Sequence, residues 1–183
     1  KEEAWTEKTI APVWSATKGP MAVSLLMALH RAGMDGDSLV ERVWPELSAD
    51  GVTFGELMSH QGGLAALDEK VSIWGREAVV AALEKQEPKW PVGEHGYHPR
   101  TIGFLADELV RRVDGRSLGE FWWEEIAEPN EIEFWIGLPE EEDHRVAELV
   151  PARLGKGGKP EAFYEALLTK DSVTRQAFGS PSG

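Results

Sequence analysis

Residues 12–33 read PVWSATKGPMAVSLLMALHRAG, and the first ten of them hold the question on which the fold turns. Ser15 stands three residues before Lys18, with Gly19 directly after the lysine. Ten serines and nine lysines in a chain of 183 residues produce a Ser-x-x-Lys spacing by chance roughly 0.5 times, so the spacing alone decides nothing. The apolar residues that follow, Met21, Leu25, Leu26 and Leu29, recur at helical spacing, and Gly33 supplies a natural stop. Pro20 is best tolerated in a helix's first turn, which sets the start close to Ser15 or Thr17. Lys18 then lies about one turn after Ser15 on the same face, within reach of its hydroxyl. A serine hydroxyl is a poor nucleophile until a neighbour takes its proton, and the N–H groups of a helix start favour negative charge there. Read without further context, Ser15 is a plain helix cap before it is a nucleophile.

The remainder of the chain is helical in pattern almost throughout. Thr53 and Glu56 have capping-box spacing for a short helix ending near His60. GREAVVAALEKQ (75–86) forms an amphipathic helix that ends before Pro88. RTIGFLADELVRRVDG (100–115) places Ile102, Leu105, Leu109 and Val113 along one stripe. Ser117 and Glu120 form a second capping box, and shorter helices are expected at 140–149, 160–168 and 171–177. Strand signals are scarce: EFWIGL (133–138) is the best, with GVTF and ELVPARL weaker. GKGGKP (155–160) reads as the most flexible connection.

Composition removes several function classes. Apolar content of 42% with eight tryptophans describes a folded globule. A net charge of −13 argues against nucleic acid as a partner, because phosphate binding needs clustered Lys and Arg. The acidic run Glu140 to Asp143 reads as a solvated face or a helix start. Without cysteine there is no disulfide framework and no thiolate chemistry, which fits a reducing, cytoplasmic setting. No apolar run approaches the ~20 residues of a membrane span. The opening KEEAWTEK reads as the start of an internal segment, which leaves a preceding signal peptide open. His30, His95 and His144 lack paired ligand spacing, no His-Glu-x-x-His pattern occurs, and phosphate or dinucleotide glycine motifs are missing, so no metal or cofactor is expected.

Ordered motifs then weigh on Ser15. VWSATKG, VTFGELMSHQGGL (52–64), residues 88–129 around GYHP, and FWIGLPEEEDHRVAELVP (134–151) occur in sequence. Together they resemble the serine β-lactamase-like hydrolases, particularly the class C β-lactamase-related esterases known as family VIII carboxylesterases. The resemblance runs from about Trp5 to Gly183. It implies that Ser15 is the acylated nucleophile, that Lys18 assists its deprotonation, and that Tyr97 acts with the lysine as general base before protonating the leaving group. Class C β-lactamases usually carry Tyr-x-Asn where this chain has Tyr97-His98-Pro99, a variant resembling the esterase branch. Trp14 and Trp90 lie near the motifs as candidate walls of an acyl pocket, and His98 either lines that pocket or bonds backbone. His60 in SHQGGL is tempting as a triad base, but the resemblance gives that segment a structural part. Trp122, Trp123 and Trp135 read as core.

The resemblance also implies an α+β fold in which an antiparallel sheet packs on the helices. A third motif, a Lys-Thr-Gly or His/Trp-Gly-Gly type on an edge strand, is not found in these residues; GKGGKP lacks strand-like flanks. EPNEIEFW departs from the Pro-Leu-Gly-Leu favoured by relatives. The expectation is therefore a mainly α chain: one segment, 1–183, forming the helical subdomain, with most of the sheet lying elsewhere. The expected function is ester hydrolysis, or acyl transfer, through an acyl-enzyme on a small-molecule substrate. Two rivals stand beside it: β-lactamase or D-Ala-D-Ala peptidase activity, and a non-catalytic helical interaction domain.

Overall fold

The computed structural model describes residues 4–150 and 162–183. Helix α1 spans Lys18–Arg31 and follows directly on a 3-10 turn at Trp14–Thr17. Helix α2 is Phe54–Met58, α3 is Arg76–Lys85 and α4 is Thr101–Asp114. Helix α5, Leu118–Trp122, continues through a π-turn at Trp123–Ala127 and a 3-10 turn at Glu128–Asn130. The short helices α6 and α7 cover Ala162–Leu168 and Val173–Gly179.

Local chemistry fixes the ends of these helices. Thr53 and Ser117 each accept from the backbone N–H three residues on, while Glu56 and Glu120 reach back to the cap N–H, so both capping boxes form. Each satisfies two donors that a helix start leaves open. Gly115 closes α4 at φ +95°, a left-handed conformation that glycine adopts at no steric cost.

Helices α1, α4 and α5 pack on one another, and α3 packs on α4. Leu25 and Leu29 of α1, Leu105 and Leu109 of α4, and Phe121 of α5 are fully buried at their junction. Each such side chain contributes about 1.5–3 kcal/mol of transfer free energy. The α4 stripe is wider than its sequence spacing suggests, since Ala106 and Val110 are buried as well. Arg112 leaves the far side of α4, stacks over the Trp44 ring at 4.9 Å and bonds Glu46, Glu84 and Glu108. Its stem thus covers apolar surface while its guanidinium stays paired.

Several expectations need correction. Among the described residues there is no sheet, only isolated bridges at Ile10–Val146, Leu39–Thr53 and Ser72–Ser182. Residues 133–138 are not a strand. Their backbone is held against α5 instead: the Trp122 indole N–H donates to the Phe134 carbonyl at 2.7 Å. A Cβ on Gly119 would stand 2.1 Å from the Ile136 carbonyl oxygen, so the glycine is what lets this segment lie so close. GVTF contributes one bridge residue, and ELVPARL runs partly outside the described residues. Leu26 does not join the core; it is 54% exposed beside Val23 at 52%. Two of the three tryptophans read as core are only half-buried: Trp123 and Trp135 stack at 5.6 Å, and only Trp122 is buried. The expected helix at 140–149 is a 3-10 turn over Glu140–Arg145, opened by the acidic run. GKGGKP lies outside the described residues.

Candidate active site

Ser15 sits within the Trp14–Thr17 3-10 turn, where three residues make one turn and positions i and i+3 eclipse. That geometry is why a spacing of three brings Lys18, the first residue of α1, over the serine. The Lys18 Nζ donates to Ser15 Oγ at 3.1 Å. It also lies 3.4 Å from the Pro99 carbonyl, to which it donates, and 5.1 Å from the centre of the Tyr97 ring. Tyr97 Oη is 2.6 Å from Ser15 Oγ, although the two residues are 82 positions apart. The structure therefore brings Ser15, Lys18 and Tyr97 into one triangle.

Hydrogen-bond inventory gives the triangle a direction. An ammonium has donors and no acceptor, so Lys18 occupies a lone pair of Ser15 Oγ. The serine's own proton is then free to point at Tyr97 Oη. Partial burial pushes the Tyr97 hydroxyl up, but its contacts with Ser15 and with the positive charge of Lys18 outweigh this and hold it below the ordinary phenol value. The lowered value raises the share of phenolate, the form that can accept a proton, near neutrality. Trp14, immediately before Ser15, has φ +50°, a left-handed conformation unusual for a bulky residue. The residue is 76% exposed.

The loop that carries Tyr97 is held by the SHQGGL segment. His60 has φ +68° and reverses the chain after α2. Its carbonyl accepts from Gly96 N–H at 3.0 Å, and its Nδ1 accepts from His98 N–H at 3.1 Å. Its ring lies 4.8 Å from that of Tyr97. The carbonyls of Gln61 and Gly63 accept from Gly93 and Lys89. Gly63, at φ +71°, is pressed so closely by this loop that a Cβ would stand 2.6 Å from the Trp90 carbonyl oxygen. SHQGGL thus has the structural part expected of it, and the contact that sequence reading did not assign is its hold on the loop of the tyrosine. The histidine placed ahead of a double glycine was the available signal.

His98 takes the backbone-bonding course and does not line a pocket. It is fully buried; Nε2 accepts from Leu64 N–H at 2.9 Å and Nδ1 donates to the Gly96 carbonyl at 2.6 Å. Burial drives its pKa down to about 4. Trp90 likewise stays out of the cleft: its indole N–H donates to the Glu94 carbonyl at 2.7 Å, and its ring packs edge-on to His98. His60 is also shifted down, by burial first and then by the charges of Lys18 and His95.

A cleft of about 590 Å³ opens beside Lys18, walled by Trp14, Thr17, Met21, Pro99, Phe104 and Ile136 among others. A larger cavity of about 1090 Å³ lies between residues 4–9 and the 142–150 segment and touches none of the triangle. The smaller one borders the triangle through Lys18, while Ser15 and Tyr97 stand outside its lining. Among the described residues, no cluster of three His, Asp or Glu side chains is placed to hold a metal.

A family model described as Beta-lactamase matches residues 1–166. The chain belongs to the beta-lactamase family. Esterase/beta-lactamase LipL of Mycobacterium tuberculosis is 31% identical to this beta-lactamase family chain over 157 residues, covering 80% of the chain and 36% of LipL. Two solved structures each cover 93% of the chain with a TM-score of 0.75. One is a novel penicillin-binding protein homologue from Caulobacter crescentus, 36% identical, of which 48% is covered. The other is EstA from Arthrobacter nitroguajacolicus, 26% identical, of which 46% is covered. The chain thus spans about a third to a half of the length of these relatives and shares the beta-lactamase fold over that part.

Proposed function

We propose that this chain is the helical part of a serine carboxylesterase that works through an acyl-enzyme. The observation that carries the reading is the Ser15–Tyr97 hydrogen bond of 2.6 Å with Lys18 donating to the same serine oxygen at 3.1 Å. Ser15 Oγ attacks the ester carbonyl while its proton passes to the phenolate of Tyr97, a form favoured by the contacts of its oxygen with Ser15 and Lys18 and by the lysine charge. The tetrahedral intermediate collapses, the alcohol leaves with the proton returned by Tyr97, and water, or another alcohol, then takes the acyl group from Ser15. Trp14 and the 590 Å³ cleft form the acyl side of the site.

The oxyanion needs two donors. The serine's own N–H supplies one, and an edge strand of the sheet is expected to supply the other from outside residues 1–183. Losing one such donor typically costs about 100- to 1,000-fold in rate, so the chain alone is a weak catalyst at best. Esters are favoured over β-lactams because Pro99 stands where the lactamases carry their asparagine. The proline ring offers no amide to a lactam side chain, and the preceding His98 is buried and fully engaged with backbone.

Intact-mass measurement after incubation with a fluorophosphonate tests the reading in the full-length protein. One adduct is expected, abolished by Ser15→Ala. An unlabelled protein would sink the hydrolase assignment, and a labelled Ser15→Ala variant would move the nucleophile elsewhere. Comparing p-nitrophenyl butyrate with nitrocefin separates esterase from lactamase; a preference for the lactam overturns the ester choice.

A further inference from the structure

Tyr97 is the first member of a row of aromatic rings that the acyl side of the site does not use. The Phe178 ring lies 6.4 Å from the Tyr97 ring, Phe163 lies 5.3 Å from Phe178, and Tyr164 lies 5.4 Å from Phe163. The last two contacts are edge-to-face, each with an interplanar angle of 72°. The row is built on α6 and α7, and its base is fixed. Ala177 is buried against Ala65 and Ala66, Arg100 donates to the Pro181 carbonyl at 2.6 Å, and the Ser182 N–H donates to the Val71 carbonyl at 3.0 Å. Its upper rings are open: Phe163 is 44% exposed and Tyr164 48%.

We infer that this aromatic row is the alcohol-side subsite and that it selects esters whose alcohol portion is an aromatic ring. The inference rests on the hydrolase reading above and adds the substrate's leaving half to it. As acylation proceeds, the Ser15 Oγ–carbon bond forms and the bond from carbon to the alcohol oxygen breaks. The electron pair goes to that oxygen, which takes up the proton that Ser15 gave to Tyr97. Proton return requires the leaving oxygen within about 2.6–3.2 Å of Tyr97 Oη. Whatever is attached to that oxygen therefore projects on the tyrosine side, where Phe178 and Phe163 stand. The acyl group faces the other way, toward the cleft that Trp14, Thr17 and Lys18 line on either side of Ser15 and that Tyr97 and Phe178 do not reach; Ser15 itself stands at its margin, outside the lining. Aromatic pairs favour the edge-to-face arrangement that the row already displays, so an arriving ring extends it.

Methyl butyrate and benzyl butyrate share an acyl group, and their alcohols have nearly equal acidity, so their comparison isolates binding of the alcohol half. In the full-length protein we expect kcat/KM for the benzyl ester to exceed that for the methyl ester by roughly tenfold or more. Phe178→Ala and Phe163→Ala should each cut that ratio several-fold, and the open position of Phe163 makes its variant safe for folding. A wild-type ratio near one, including one caused by another part of the polypeptide covering the row, overturns the inference. A ratio that neither variant changes does the same. Fluorophosphonate labelling of Ser15 separates the two levels: a labelled enzyme with no benzyl preference loses only the subsite, and an unlabelled one loses both.

Discussion

Lys18 is placed so that its charge serves two oxygens at once. It donates to Ser15 Oγ and to the Pro99 carbonyl while facing the Tyr97 ring, which fixes its head by three contacts. Removing that charge should return the Tyr97 hydroxyl toward its ordinary value. On the proposed mechanism the acid limb of kcat/KM, which would rise as Tyr97 loses its proton, should lie below the ordinary phenol value in the wild type. In Lys18→Met it should move to higher pH, with activity at pH 7 down by 100-fold or more, consistent with the ~10²–10⁴ supplied by a positioned base. A pH–rate series of both proteins checks this; an unmoved limb removes Tyr97 as the titrating group. Much of this pair was legible in the sequence. The Ser-x-x-Lys spacing and Pro20 place serine and lysine at a helix start, one turn apart and within reach of each other. The partnership with Tyr97 was not legible from spacing, because 82 residues separate it from Ser15 and only the packed fold joins them.

Among the elements, the loop carrying Tyr97 gains its order from two histidines of opposite tautomer. His60 accepts at Nδ1, whereas His98 donates at Nδ1 and accepts at Nε2. Protonating His98 would turn its Nε2 acceptor into a donor facing the Leu64 N–H. Its folded pKa of about 4 lies below the ordinary 6.5, so the stability it contributes is fully present above pH ~6.5 and is lost as pH falls toward 4. The displacement corresponds to about 3 kcal/mol. Thermal unfolding between pH 7 and 4 should show the loss, and His98→Gln should flatten the pH dependence while lowering the melting temperature at pH 7. An equally steep dependence in the variant would transfer the effect to His60 or to carboxylates. The capping boxes at Thr53 and Ser117 were readable from sequence because a cap is a local device of four residues. The apparent strand at 133–138 was misread for the same reason in reverse. Its apolar residues look β-like locally, but their partners are Trp122 and the bare backbone of Gly119.

For the whole molecule, the informative surface is the outer face of α1. Val23 and Leu26 are more than half exposed on a helix whose opposite face is fully buried. An amphipathic helix does not normally turn leucine and valine to water side by side. If the rest of a longer protein packs there, Leu26→Lys should destabilise the full-length form by about 2 kcal/mol and leave residues 1–183 alone nearly unaffected. Denaturant titration of both forms decides it, and equal effects would remove α1 from that interface. Periodicity gave α1 an apolar count without saying which residues face inward, since Leu25 and Leu26 differ by one position and 100° of rotation. The helical character of the chain was evident throughout, because helices announce themselves in contiguous residues. The sheet expected of its relatives left no comparable trace in these residues.

Trp14 has an optical consequence. Its indole stands in solvent directly before Ser15 and at the edge of the cleft, so a bound acyl group would change the water around it. Acylation should therefore shift and brighten the tryptophan emission during the first turnover, and Trp14→Phe should abolish the change against the background of the other tryptophans. A signal that persists in the variant would assign the response to another ring. A strained residue beside the nucleophile would then serve as a real-time reporter of the covalent step, read without any label.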